Sequence, residues 1–540
     1  MWMQYRQPDG TTLAVRYCGD EHFTYYLSPT GVPMIVDGNG FLRPITLVQL
    51  ERDRAEARAD EPAGPRRSRV KTSWDPAKVY PSPVILVSYA DQSFSVADDP
   101  KAFYDSLFND PGFNKGVGPG CVADYFRDQS QGLFNARFDI YGPVQMPDTA
   151  RCYSKDKGGS GTYKTVLRNA LVKAVDSLGI DLSPYDWDGD GAVEQVVFIY
   201  AGYGGNDSYS PKKGVIHPHT STLSAYTSGG VKTNWYTCSA EMWGYNKSSC
   251  GIGTICHEFS HSLGLPDLYP TSGSEYSVLD EWDLMDGGNF INWGWCPPNY
   301  SSMEKMLLGW LKPVELTERA TITDMKAVED GGAVYQVSHT DNEYFLLENR
   351  QQHGWDLGLP GKGLAVFRAL YNESAWHITG DGGSNSVNNV RTRHRYELVH
   401  ADSMDYAASR AWVVKTIGHQ YAGGATRLNS YILSGSAYPH VTDTLENREL
   451  TATSAPSATV YDGVAADSVA VLDKPITNIQ MTGDGLISFD FMGGELSGIA
   501  DAQVRGDAAR GAVFDLQGRR VSVPRRGVLY IRNGKKFVQL

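Results

Sequence analysis

The sequence predicts a multidomain α+β protein, and three observations carry that expectation. Short alternating segments separated by turn residues fill the first fifty positions. Continuous apolar runs alternate with helical periodicity from Pro83 onward. From about Leu316, strand follows strand with turns between them. The chain has 540 residues, 41% hydrophobic and 21% charged, which is enough apolar content to bury a sizeable core. Its 49 Lys and Arg against 62 Asp and Glu give a net charge of −13, which argues against binding nucleic acid through bulk charge.

In chain order, Pro8-Asp9-Gly10, Pro29-Thr30-Gly31 and Asp37-Gly38-Asn39-Gly40 are turn signals. Between them TTLAVRYC and HFTYYL read as strands of a small β-rich segment. QLERDRAEARADEPAGPRRSRVKTSW reads as a helix running into a charged linker, where Arg66, Arg67, Arg69 and Lys71 offer cleavage sites to a trypsin-like protease. VILVSYA and VEQVVFIYAGYG are apolar throughout, as strands buried on both faces are. DDPKAFYDSLF, CVADYFRDQS and TVLRNALVKAVDSL read as helices and NARFDIYGPV as a strand, which together give an α/β domain. EYFLLENR, GLAVFRALY, RYELVHAD and LISFDF read as strands of a β-rich region. Residues 501–540 carry nine Lys/Arg and three Asp/Glu, net +6, and AVFDLQGRRV and GVLYIRNGKKFVQL read as a small β module. The expected divisions are 1–70, 71–315, 316–495 and 496–540. No run approaches the ~18–20 apolar residues of a membrane span, and the start, MWMQYRQPDG, lacks the pattern of a secretory signal. The seven cysteines form no zinc-ribbon pair, and Cys238 with Cys250 is a candidate bridge.

The chemistry concentrates in GIGTICHEFSHSLGLPDLY, residues 251–269. Ile252, Ile255, Phe259 and Leu263 recur at helical spacing and predict one buried face. His257 and His261 lie one turn apart on another side, with Glu258 beside the first. Two imidazoles at that spacing can share one zinc ion, and the neighbouring carboxylate can take a proton from water at the metal. Gly264 ends the helix in a left-handed turn, and Pro266 keeps the chain from continuing as helix, so Asp267 can supply a third ligand. Met285 follows in WDLMDGG, a tight turn. The spacing resembles the metzincin layout with its Met-turn, aspartate standing in place of the third histidine. Glu281, twenty residues after His261, is a rival third ligand on the thermolysin-like spacing.

A wider likeness covers residues 83–400. CVADYFRDQSQGLFNARFDIYGPV, DWDGDGAVEQVVFIYAGYG, the zinc motif, WDLMDGG, PPNYSSMEKMLLGWL and EYFLLENRQQHGWDLGLPGKG resemble the immune inhibitor A family of secreted bacterial metalloendopeptidases. The N-terminus resembles the pro-segment of such enzymes, and the last forty residues resemble the C-terminal sorting modules of secreted Bacteroidetes proteins. The resemblance implies a secreted or cell-surface zinc endopeptidase made as a latent zymogen, with a zincin-type catalytic domain, ligands His257, His261 and Asp267, and base Glu258. Its partners would be protein or peptide substrates and, through the C-terminal module, a secretion machinery. The enzyme is expected to act as a monomer. The chain departs from the family where VFRALY, with Arg368 and Ala369, follows LPGKG.

Other positions carry expectations of their own. Asp186, Asp188 and Asp190, with Glu194 after a glycine turn, are candidate calcium ligands, although Val197 occupies the twelfth loop position where an EF-hand has glutamate. Tyr300 is a candidate oxyanion stabiliser. Cys18, in the presumed pro-segment, is a candidate latency ligand through a thiolate, with Met34 and Asp20 as substitutes. His217 and His219 would share a face on a strand, and Cys256 reads as core. Two other classes of function stay open at this point: an inactive zinc-binding adhesin, and a metal-dependent hydrolase of a non-peptide substrate.

Overall fold

The computed structural model describes residues 2–20, 22–60, 73–114, 117–150, 162–207, 216–244, 247–272, 277–377, 384–405, 433–461 and 468–495, and, near the C-terminus, 513–514, 520–521, 529–532 and 535–538. The linker basic residues Arg66 to Lys71, Cys152 and most of the C-terminal module lie outside these.

The chain opens with an antiparallel meander: β1 (Met3–Arg6), β2 (Thr12–Gly19), β3 (Thr24–Leu27), β4 (Pro33–Val36) and β5 (Leu42–Pro44), followed by helix α1 (Leu47–Asp60). Its turns fall at the Pro/Asp/Gly clusters because glycines 10, 31 and 40 all sit at positive φ.

The central sheet contains β6 (Val79–Ser88), β7 (Asn135–Gln145), β8 (Val196–Tyr203), β9 (His219–Ser228), β10 (Val231–Trp243) and β11 (Ser248–Ser249). The path runs β11-β10-β8-β6-β7, with β9 pairing antiparallel to β10. The pairs β10–β8, β8–β6 and β6–β7 are parallel, and β11 runs antiparallel to β10. Side chains of β6 alternate between two cores. Val84 and Leu86 join the helices α2 (Pro100–Asn109), α3 (Val122–Gln129) and α5 (Gly253–Leu263). Ile85 and Val87 face α4 (Thr162–Leu178), in a cluster that also takes in Tyr5, Val15, Tyr17 and Tyr26 of the N-terminal sheet.

After α6 (Ser302–Leu307) come β12 (Val314–Glu315), β13 (Ala320–Met325), β14 (Tyr335–Ser338), β15 (Glu343–Arg350), β16 (Gly363–Leu370), the one-turn helix α7 (Glu373–Trp376) and β17 (Tyr396–Leu398). Short pairs β18 (His440–Val441) with β19 (Glu446–Asn447), and β20 (Thr459–Tyr461) with β21 (Val469–Val471), precede β22 (Ile476–Met481) and β23 (Ile487–Phe491). Strand β15 shows why packing runs across the expected boundary near 315: Tyr344 and Leu346 belong to the same core as α5, whereas Phe345 and Leu347 pack towards the β13-β23-β22 sheet. Residues Met1–Ala500 accordingly form one compact unit of mixed helix and sheet. The second unit, Asp501–Leu540, contains an antiparallel sheet ordered β25-β24-β26-β27, from β24 (Val513–Phe514), β25 (Arg520–Val521), β26 (Leu529–Arg532) and β27 (Lys535–Val538).

Among the described residues no helix is long and apolar enough to cross a membrane. The cysteines described, at 18, 121, 238, 250, 256 and 296, are free thiols, so the candidate bridge between Cys238 and Cys250 is not formed.

Candidate metal centre

Helix α5 is buried along its whole length, and its apolar residues Ile255, Phe259 and Leu263 enter the main core as their spacing predicts. Gly264 closes it at φ +106°, a region that side chains rarely adopt. The main chain then turns back, with Leu265 N–H bonding to Ser260 O at 3.1 Å. This reversal brings Asp267 beneath the helix. Asp267 Oδ1 stands 3.0 Å from His261 Nε2 and 3.5 Å from His257 Nε2. All three side chains are completely buried, as is Glu258.

The turn at Leu284 and Met285 braces the group. His257 Nδ1 lies 2.8 Å from Leu284 O, and Leu268 N–H bonds to Met285 O at 2.8 Å. His261 Nδ1 lies 2.8 Å from Leu265 O. A carbonyl at each Nδ1 holds the proton there, so both Nε2 atoms present lone pairs. Two lone-pair nitrogens facing a carboxylate oxygen repel unless a cation lies between them. Two ligands ~2.0–2.1 Å from one tetrahedral ion stand about 3.3 Å apart, close to the observed separations. The donor set therefore fits zinc.

Glu258 reaches a different partner. Thr220 Oγ1, on β9, lies 2.9 Å from its Oε2 and 2.6 Å from its main-chain oxygen, and Thr237 Oγ1 on β10 is 3.2 Å from that same oxygen. Gln195 Nε2 donates to Thr237 Oγ1 in turn. The carboxylate is thus tethered to the sheet edge on one oxygen.

Other candidates fall elsewhere. Glu281, the rival ligand, pairs with Arg16 of β2 at 2.9 Å and stands outside the cluster of His257, His261 and Asp267. Cys18 donates towards Glu281 Oε1 at 3.9 Å, burial pushes its thiol well above the ordinary range, and it stands outside the group of His257, His261 and Asp267. Asp20 accepts from His22 N, Phe23 N and Arg54, and Met34 pairs with Tyr26 and Pro44 within the N-terminal sheet. Tyr300 is buried in the core with its hydroxyl on Ser260 of α5. His219 bonds to Tyr236 Oη at 2.5 Å and to His217 O at 2.7 Å, and neither His217 nor His219 joins the ligand group. In the acidic loop, Asp186, Asp188 and Glu194 come within 4.8 Å of one another, whereas Asp190 turns back to accept from Ala192 N–H at 2.9 Å.

Two groups at the site carried no sequence signal. Thr220 is one residue from a flagged histidine, on the opposite strand face. Asn385 Nδ2 donates to Asp267 Oδ2 at 2.5 Å from 118 residues away.

The N-terminal sheet and α1 lie against the loop that follows Asp267. His22 Nε2 is 3.0 Å from Tyr269 Oη, Arg54 donates to Ser277 Oγ at 2.8 Å, and Thr24 N–H bonds to Asn206 O at 3.2 Å. Tyr17 stacks on Trp293 at 5.1 Å.

Residues 89–308 match the family described as immune inhibitor A peptidase M6, catalytic domain. The chain is 27% identical over 272 residues to immune inhibitor A of Bacillus thuringiensis subsp. alesti, across 41% of this chain and 38% of that protein. It is 23% identical over 242 residues to the pre-pro-metalloprotease PrtV of Vibrio cholerae serotype O1 strain M66-2, across 39% of this chain and 26% of that protein. The alignments thus span less than two fifths of either relative's length. The likeness supports a metallopeptidase catalytic domain.

Proposed function

We propose that this chain is a zinc-dependent endopeptidase of metzincin type that hydrolyses peptide bonds in proteins outside the cell and is made latent. The convergence of His257 Nε2, His261 Nε2 and Asp267 Oδ1, with Glu258 on the same helix, is the observation that carries this reading. When bound, zinc polarises the scissile carbonyl and makes water more acidic. Glu258 accepts the proton of the attacking water and hands it to the leaving amine. Thr220 holds one oxygen of Glu258 and so restricts the other to the substrate side.

Burial of all three ligands, together with the contacts from the β2–β3 turn and α1 to the loop after Asp267, supports latency through steric cover. Cleavage in the Arg66–Lys71 linker would release that cover. The acidic loop of Asp186, Asp188 and Glu194 supports a calcium site. We assign the C-terminal unit to sorting through the secretion machinery.

The test replaces Glu258 by Gln in the full chain and cuts the linker with trypsin. Zinc content should match the wild type, while cleavage of casein should disappear. Full activity in that variant would sink the mechanism. Zinc without proteolysis in the cut wild type would favour an adhesin, and hydrolysis of glycan or ester substrates alone would favour a non-peptide hydrolase.

A further inference from the structure

We infer that Asn385, in the β-rich region, is the positioning residue for the third metal ligand. Its carboxamide fixes the Asp267 carboxylate so that one oxygen is held by protein and the other is turned to the two imidazoles. The inference rests on the proposed ligand set.

Asn385 grips Asp267 twice. Asp267 N–H donates to Asn385 Oδ1 at 2.9 Å, and Asn385 Nδ2 donates to Asp267 Oδ2 at 2.5 Å. Main chain and side chain of one residue are therefore read by one amide, which restricts both torsions of the aspartate. Oδ1 is the oxygen left facing His261 Nε2 at 3.0 Å and His257 Nε2 at 3.5 Å. Only a primary amide can do both: aspartate lacks the donor, and an aliphatic side chain lacks both groups.

Asn385 is itself immobilised. It is 6% exposed and sits at φ +44°, in the left-handed region that asparagine enters more readily than most residues. Its N–H bonds to His377 O at 3.2 Å, and its carbonyl accepts from Thr271 Oγ1 at 2.6 Å. Every polar group of the residue is thus engaged. Two neighbours continue the grip along the loop that carries Asp267. Asn388 Nδ2 donates to Leu268 O at 2.8 Å, and Asn389 Oδ1 accepts from Thr271 N–H at 2.6 Å. Three asparagines from the SNSVNNV segment thus supply partners to this loop alongside Met285 O. The third ligand is therefore held by a segment beyond residues 89–308, the loop between α7 and β17.

Partners of this kind set ligand orientation, and their loss costs ~10–100-fold in metal affinity. The test uses the full chain as wild type, Asn385→Ala, Asn385→Asp and Asp267→Ala. It measures zinc stoichiometry, the rate of zinc transfer to a colorimetric chelator, the visible spectrum after cobalt substitution, and the melting temperature of the metal-free forms. Both Asn385 variants should release zinc ~10–100-fold faster than wild type and shift the cobalt bands. Asn385→Asp keeps the acceptor for Asp267 N–H, so it decides the matter if the alanine variant does not fold. Wild-type release and an unchanged cobalt spectrum in the folded variants would overturn the inference, even if melting temperature fell, because the role would then be structural. Failure of the ligand reading looks different: wild type without zinc, or Asp267→Ala holding zinc at the wild-type rate.

Discussion

Thr220 and Glu258 show what one hydroxyl contributes at the residue scale. The threonine contacts both the carboxylate and the main-chain oxygen of the glutamate, so Thr220→Val removes the hydroxyl's hold on the base while Thr237 Oγ1 remains at that main-chain oxygen. Steady-state assays of the trypsin-activated enzyme should show kcat lower by roughly 10-fold, part of the 10²–10⁴ that a positioned base supplies, with zinc content unchanged. Gly264 is constrained differently: at φ +106° alanine is strained, and Gly264→Ala should cost about 1–2 kcal/mol in urea denaturation. His257, Glu258, His261 and Gly264 were legible in the sequence because helical spacing is local. Thr220 and Asn385 were not, because the contacts that define them span 38 and 118 residues and neither sits in a periodic pattern.

At the scale of elements, the segment between Leu279 and Gly288 does two things. The Leu284 and Met285 carbonyls hold α5 and the loop carrying Asp267, and three of the segment's four acids, Glu281, Asp283 and Asp286, are packed out of water while Asp280 is half-buried. Burial, followed by the neighbouring Glu281 and Asp286 charges, raises the Asp280 carboxyl to about 8. A folded value above the unfolded one, ordinarily ~3.9, means stability is complete below the unfolded value and is lost as pH rises through the folded one. Urea melts should therefore show stability falling between about pH 4 and 8, and Asp280→Asn should flatten that slope. For the acidic loop, calorimetry should show calcium raising the melting temperature of the wild type and leaving Asp186→Ala unmoved. Grouped acids were legible there from spacing alone. Which three converge was not, because all four carboxylates accept backbone N–H groups of the turn, and its folding decides which of them meet.

For the whole molecule, the alternation of strands and helices was legible because burial on one or two faces leaves periods of 2 and 3.6. Continuity of packing across residue 315 was not, since β15 alternates between two cores that both read as apolar. The N-terminal sheet is held to the body by the buried pair Arg16–Glu281. Removing one partner of such a pair costs ~3–5 kcal/mol, so uncut Arg16→Ala should cleave casein where the uncut wild type does not. Asn385 also fixes an order of events. The N-terminal meander is complete once α1 has been made, whereas Asp267 receives its clamp only after a further 118 residues. At ~5–20 residues per second that delay is about 6–24 s of synthesis. Under the proposed latency, each new copy would thus have made its cover before the centre it covers is complete.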